Sequence, residues 1–452
     1  MPFELTKDYV AKIAEAIEKA DSVTLTTELE ELYPTDISEI LYELDDEQSK
    51  YVIQLLDKEV GAEIISNMDA PLRKDLLKLF DSAEIAQFMD FVDSDDAADI
   101  LNEQPIKVRE EVIALMSDRQ KARHIIDLLH YDEDCAGGLM AKELVKANIN
   151  WTISQCIEEI RRQAEKVEHV MSVYVVDDAG ILMGRVSLKK LLLTRNEKRI
   201  ADIYDEDIIS VETYRPAEEV ADIMQRYDLE SIPVVNVQGK LLGRITIDDI
   251  VDVITEQADL DRQAMSGISE EVEEDDSVWK LSRARLPWLC IGMMGSLLAA
   301  RFIDIFTADL LSKISALAIF IPIIGSTGGN VGIQSSSFMI QILTDKAGLI
   351  TGFGTRMMKI LLVALLNGLI ISSVVFGVTI LLLGQPVKLA AVVSISLLSV
   401  VLLATFMGTV TPIVLDRYGI NPSVASGPFI TTANDLIGYG VYFLTAYLLY
   451  SF

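Results

Sequence analysis

The sequence predicts a multidomain membrane protein: an all-α helical domain at the N-terminus, a duplicated α/β module in the middle, and an α-helical transmembrane domain with five spans at the C-terminus. Three observations predict it. Apolar residues recur three or four apart over residues 1–130. One pattern then appears twice at an offset of 59 residues. After residue 285, five stretches are apolar for long enough to cross a bilayer.

Charge divides the chain at the same place. The 452 residues carry a formal charge of -30. After Lys280 there are nine Lys/Arg and five Asp/Glu, which leaves 30 basic and 64 acidic residues in the first 280. The C-terminal part is about +4 and the N-terminal part about -34, so two different solvents are implied. Such an excess of carboxylates does not suit nucleic acid, which needs basic surface. It suits cations, against the plainer reading of a solubilising surface. Cys135, Cys156 and Cys290 form no CxxC, and His124, His130 and His169 show no ligand spacing, so neither a disulfide framework nor a zinc site is expected. The opening MPFELTKDYV is not a charged-then-apolar signal, which places the first 280 residues in the cytosol.

Residues 1–130 read as an acidic helical domain, with Ile37, Ile40, Leu41 and Leu44 on one face and little Gly or Pro. A short theme returns at uneven spacing: Ser38-Glu39-Ile40, Ala62-Glu63-Ile64, Ala83-Glu84-Ile85, Ala98-Asp99-Ile100. It predicts a loose stack of helix pairs. Residues 131–200 and 201–256 read as two copies of one module. Tyr174–Ser187 aligns with Pro233–Thr246, each copy a strand, a glycine turn and a second strand followed by a helix. Residues 257–284 read as a connecting segment, rich in Glu270, Glu271, Glu273, Glu274, Asp275 and Asp276, with a solvated linker as the plainer alternative.

The spans are expected at about 286–306, 314–341, 357–384, 388–415 and 427–450. Lys280, Arg283, Arg285, Lys346, Arg356, Lys359 and Arg417 flank one side and Arg301, Lys313 and Lys388 the other. This bias predicts a cytosolic N-terminus and an external C-terminus.

Two spans carry polar groups that lipid cannot satisfy. The second holds Pro322 and the run Gly325-Ser326-Thr327-Gly328-Gly329-Asn330-Val331-Gly332-Ile333-Gln334-Ser335. Asn330 and Gln334 stand one turn apart; a small-residue helix interface is the alternative. The last holds Thr431, Thr432 and Asp435, and Asp435 is the only acidic side chain well inside an apolar span. A lone intramembrane carboxylate is a functional candidate by default, with a protonated structural Asp as the alternative. Oxygen donors without nearby His or Cys favour magnesium, calcium or manganese over zinc or copper. No nucleophile–base pair, phosphate-binding loop or catalytic metal motif is visible, so an enzyme is not expected.

The duplicated module resembles a tandem pair of cystathionine-β-synthase-type (CBS) modules, through Ile232-Pro233-Val234-Val235 and Gly243-x-x-Thr246-x-x-Asp249. The order of parts, with Gly328-Gly329-Asn330-x-Gly332-x-Gln334 and Thr432-x-x-Asp435, resembles the MgtE family of magnesium channels over nearly the whole chain. The resemblance implies Mg2+ influx across the plasma membrane by a homodimer. Asp435 is then the main pore ligand beside Asn330, Gln334, Thr431 and Thr432. It also implies closure by cytosolic Mg2+ at Asp95, Asp96, Asp99, Asp228, Asp248, Asp249, Asp252 and Glu256, with the connecting helix as the plug. It leaves ATP binding at Thr246 and Asp249 open, since Lys190 stands in the first copy where Asp249 stands in the second. Asn421 departs from the family, which often has an acidic residue before that proline. Expected partners are a second copy, membrane lipid and Mg2+, without nucleic acid. The alternative is a CBS-regulated transporter of another divalent or organic cation.

Overall fold

The computed structural model describes residues 5–164, 172–270, 272, 276–306, 314–344, 353–425 and 427–450. The chain forms two compact units, Met1–Thr255 and Glu256–Phe452. His169, Glu271, Glu273, Glu274, Asp275, Lys313 and Lys346 lie outside the described residues.

The first unit opens with ten short helices: α1 (Lys7–Glu18), α2 (Ser22–Leu29), α3 (Pro34–Tyr42), α4 (Asp46–Leu55), α5 (Lys58–Ser66), α6 (Ala70–Leu77), α7 (Ser82–Met89), α8 (Ser94–Asn102), α9 (Ile106–Leu115) and α10 (Arg119–Leu128). Acidic caps start several of them. Asp45 and Asp81 each accept from the amide three residues on, and Gln48 and Glu84 reach back to the cap amide, so two otherwise unpaired donors are satisfied at each start. The recurring theme marks the core: Ile40, Ile64, Ile85 and Ile100 are all buried. Side-chain bonds between Gln54 and Glu84, Ser66 and Asp96, and Arg73 and Glu103 each bridge 30 residues, the offset of one layer in a helix-pair stack.

The two modules follow. β1 (Lys146–Asn148), β2 (Val173–Val176) and β3 (Leu182–Val186) form one sheet with α11 (Ile153–Ala164) and α12 (Leu188–Leu193). β4 (Val211–Glu212), β5 (Ser231–Val235) and β6 (Leu241–Thr246) form the other, with α13 (Ala217–Tyr227). In each sheet the first pair is parallel and the second antiparallel. The repeat brings its own halves together. Gly180 and Gly239 turn at φ +82° and +76°, which only glycine adopts freely. Leu182 N then donates to Gly239 O and Leu241 N to Gly180 O.

α14 (Ile247–Met265) follows β6 and ends at Gly267, at φ +79°. The helical connection therefore lies over 247–265, earlier than the 257–284 segment expected from its acidity, because positive φ closes a helix. Among the described residues, four helices of the second unit are long and apolar enough to cross a membrane: Val278–Ile305 within α15 (Val278–Phe306), Ser315–Leu343 comprising a 3-10 turn and most of α16 (Ile321–Thr344), Gly354–Leu381 within α17 (Phe353–Leu381), and α18 (Val387–Arg417). By this measure of length and composition the expected five spans are four among the described residues. The fifth, α19 (Pro428–Tyr450), is 23 residues long, but Thr431, Thr432, Asn434, Asp435 and four tyrosines dilute its apolar character. α18 is central, with 61% of its apolar window buried against 6% for α15.

Candidate ion path and cation-binding cluster

α16, α18 and α19 pack closely because glycines face the contacts. A Cβ on Gly332 would overlap the Asn434 amide and meet Ile430. A Cβ on Gly408 of α18 would overlap Gly332 O. A Cβ on Gly329 would stand 3.2 Å from Thr431 Cγ2, and one on Gly295 of α15 would overlap Thr432. This accounts for the glycine run: it lets helix backbones approach. Asn434 is buried and its Nδ2 has no hydrogen-bond partner.

Asp435 is half-buried beside these contacts and makes no hydrogen bond or ion pair with a described residue. Its carboxylate is thus held by the helix without a protein partner among the described residues, the arrangement that makes a lone intramembrane carboxylate a functional candidate. Thr431 and Thr432 flank it one turn earlier, though Thr431 Oγ1 donates to Gly427 O. Asn330 and Gln334 are both exposed and form no bond to Asp435; the predicted five-residue pore set is therefore not brought together within this chain.

At the other end of α14, Asn421 Nδ2 donates to Asp261 Oδ1 at 3.0 Å. Gly427, at φ +63°, lies against Met265 O, and a Cβ on Gly267 would overlap the Pro428 ring. Where a carboxylate at 421 would repel Asp261, the amide bonds it directly.

The acidic cluster sits at the start of α8. Asp95, at the second position of the helix, is buried and its Oδ1 has no partner. Burial pushes its carboxyl well above the usual range, and Asp249, Asp96, Asp93 and Glu143 push the same way. Burial and Glu143 raise Asp93 to about 6. Burial raises Asp249 to about 6, with Asp248 and Asp96 adding to it and two Thr246 bonds opposing. Asp252 is raised by burial and Asp248. Asp96 and Asp99 are raised too, Asp99 to about 7, by burial first and then by carboxylate neighbours. These two and Asp252 expose over a third of their surface, so water discounts their shifts; enclosed Asp95 carries the argument. Glu143 goes the other way. Burial opposes it, but His124 at 3.9 Å, the bonds from Ser94 and the Lys121 charge hold its carboxyl below the usual range.

The structure thus brings Asp95, Asp96, Asp248, Asp249 and Asp252 of the predicted sensor set into mutual electrostatic reach. Glu256 lies one turn beyond Asp252 on α14. Asp228 instead takes φ +52° and closes α13, a left-handed cap that Asp tolerates. No three His, Cys, Asp or Glu side chains among the described residues stand close enough to hold a metal in common. Asp93 and Glu143 were not predicted. Asp93 adjoins the Asp95–Asp96 pair in sequence, whereas Glu143 carries no local signal. Thr246 N and Oγ1 both donate to Asp249 Oδ2, at 2.9 and 2.7 Å. The expected nucleotide-binding pair is therefore engaged with itself as the start of α14.

Comparison with known proteins follows these parts. Residues 32–134 match the MgtE intracellular N domain, 136–196 and 200–256 match CBS domains, and 321–445 match the MgtE divalent cation transporter family. The magnesium transporter MgtE of Thermus thermophilus is 31% identical over 446 residues, 97% of each chain. That of Enterococcus faecalis is 34% identical over 328 residues, 72% of this chain and 71% of the other. The crystal structure of the cytosolic domain of the Mg2+ channel MgtE in complex with ATP is similar at 31% identity and a TM-score of 0.51, covering 54% of this chain and 99% of that one.

Proposed function

This chain belongs to the MgtE family, and on that premise we propose that it carries Mg2+ into the cell through its C-terminal helices and closes when cytosolic Mg2+ binds its acidic cluster. The observation that carries the reading is the unpaired Asp435 carboxylate on α19. A hydrated Mg2+ presents O–H donors, and a carboxylate on a membrane helix attracts the ion without stripping its shell. Thr431 and Thr432 lie on the turn before it.

The cluster around Asp95 supports the gating half. Like charges enclosed together destabilise their own ionised form. A divalent ion, as ligand rather than cargo here, supplies the positive charge that lets Asp93, Asp95 and Asp249 ionise together, and so favours the state that gathers them. The proposed topology has the first unit in the cytosol of a multi-pass plasma-membrane protein and the C-terminus outside. A second copy completes the pore, since the predicted donors Asn330 and Gln334 face outward from this chain. ATP at the CBS pair is a second reading, favoured by the similar domain solved with ATP.

The test is Mg2+ flux in proteoliposomes. Asp435→Ala is expected to lower flux at least tenfold while the protein elutes as wild type. Wild-type flux in that variant removes Asp435 from the mechanism.

A further inference from the structure

We infer that Tyr439 determines ion specificity beside Asp435, its hydroxyl oxygen accepting a hydrogen bond from the water shell of the passing ion. The inference rests on the reading of Asp435 as the ion-path carboxylate. Tyr439 lies four residues after Asp435 on α19, so both side chains rise from one face of the helix. Its position is built rather than incidental. The Tyr439 hydroxyl lies against Gly325 of α16, with ring atoms Cζ and Cε1 at 3.0 and 3.2 Å from where a Cβ on Gly325 would stand. Any side chain at 325 would displace the phenol. Thr432, three residues before Asp435, is seated on Gly295 of α15 in the same manner. The Thr432–Asp435–Tyr439 stripe is therefore held between two glycine seats, one on each neighbouring helix.

Neither Tyr439 nor Asp435 bonds to a described residue. Two polar groups one turn apart, both without protein partners on a membrane helix, need a third party. A hydrated divalent cation fits both. Its waters are strong donors, and a phenol oxygen and a carboxylate are the acceptors such a shell requires. A dehydrated ion would be held by Asp435 alone, so the pair favours the cation that sheds water most reluctantly.

Purified full-length protein in proteoliposomes tests this with Mg2+ flux, and with hexaamminecobalt(III), a mimic of the hydrated ion, as blocker. Tyr439→Phe is expected to raise half-saturating Mg2+ roughly three- to tenfold with near wild-type maximal flux, the size of one hydrogen bond to a charged shell. Hexaamminecobalt block should weaken by a similar factor. Gly325→Ala, which moves the hydroxyl without removing it, is expected to show the same shifts, and the double variant no more than either single change. Unchanged half-saturation and block in Tyr439→Phe, or multiplicative effects in the double variant, overturn the inference. Asp435→Asn separates the two levels. If it conducts as wild type, the ion-path reading falls and this inference with it. If it is inactive while Tyr439→Phe behaves as wild type, only the role of Tyr439 falls.

Discussion

Asp95→Asn should make the magnesium-free protein more stable at pH 8 and leave it unchanged near pH 4. The carboxyl is enclosed, one oxygen has no partner, and four other carboxylates bear on it. Its folded pKa lies above its unfolded value, so the folded chain holds the proton longer and stability falls as pH rises through the window between them. Below about 4 both states are protonated and the substitution changes nothing. The less buried Asp93 and Asp249 stand at about 6, roughly two units above an ordinary Asp, which is ~3 kcal/mol each at ~1.4 kcal/mol per unit. Asp95 is more enclosed than either, and its charge acts in the same direction. For a unit the size of Met1–Thr255, the ~3 kcal/mol of Asp93 or Asp249 corresponds to ~6–12 °C in the unfolding midpoint, the scale on which the Asp95→Asn gain is read. Thermal unfolding of the full chain in detergent with a chelator, from pH 4 to 8, measures it. The wild type should lose stability with rising pH and regain it on adding Mg2+; the variant should show a flatter slope and a smaller Mg2+ response. Equal slopes, or a variant less stable at pH 8, would refute the reasoning that these carboxylates are held against their own repulsion.

Asn421→Ala removes the 3.0 Å bond to Asp261 and is expected to raise the Mg2+ concentration that stops flux by about two- to tenfold; an unchanged closing concentration takes this contact out of the gate. On titrating the full chain by calorimetry, Mg2+ should give saturable heat and ATP none, because Asp249 Oδ2 already accepts twice from Thr246 and the acidic surroundings repel phosphates. Saturable ATP binding that disappears in Asp249→Ala would reverse that expectation.

The fold was legible where one physical requirement repeats. The 59-residue repeat needs a glycine at the same turn in both copies, and Gly180 and Gly239 pair across the module interface as that symmetry demands. Buried isoleucines marked the helix stack for the same reason: a helix pair cannot cover its apolar face alone, so each layer repeats it. Hydropathy sets α19 apart from the four apolar helices because the residues that make it a candidate site, Asn434 and Asp435, are the ones that make it less apolar. The end of α14 was not legible in the acidic run, which reports solvent exposure, whereas the backbone ends that helix at Gly267.

The sites divide along a different line. Asp435 was visible because an unpaired carboxylate in an apolar run is expensive wherever the chain folds, so sequence alone raises the question. Glu143 was invisible because its membership of the cluster depends on Ser94, 49 residues earlier, donating to it from the start of α8, a relation with no local signature. Gly325 and Tyr439 lie between these cases. Each was in plain view, one in a glycine run and the other among the tyrosines of α19, and each has an ordinary explanation taken singly. Only the missing Cβ against the phenol ties them. A pair of this kind is found by asking what a glycine makes room for, and here that room is occupied by a hydroxyl one turn from the Asp435 carboxylate.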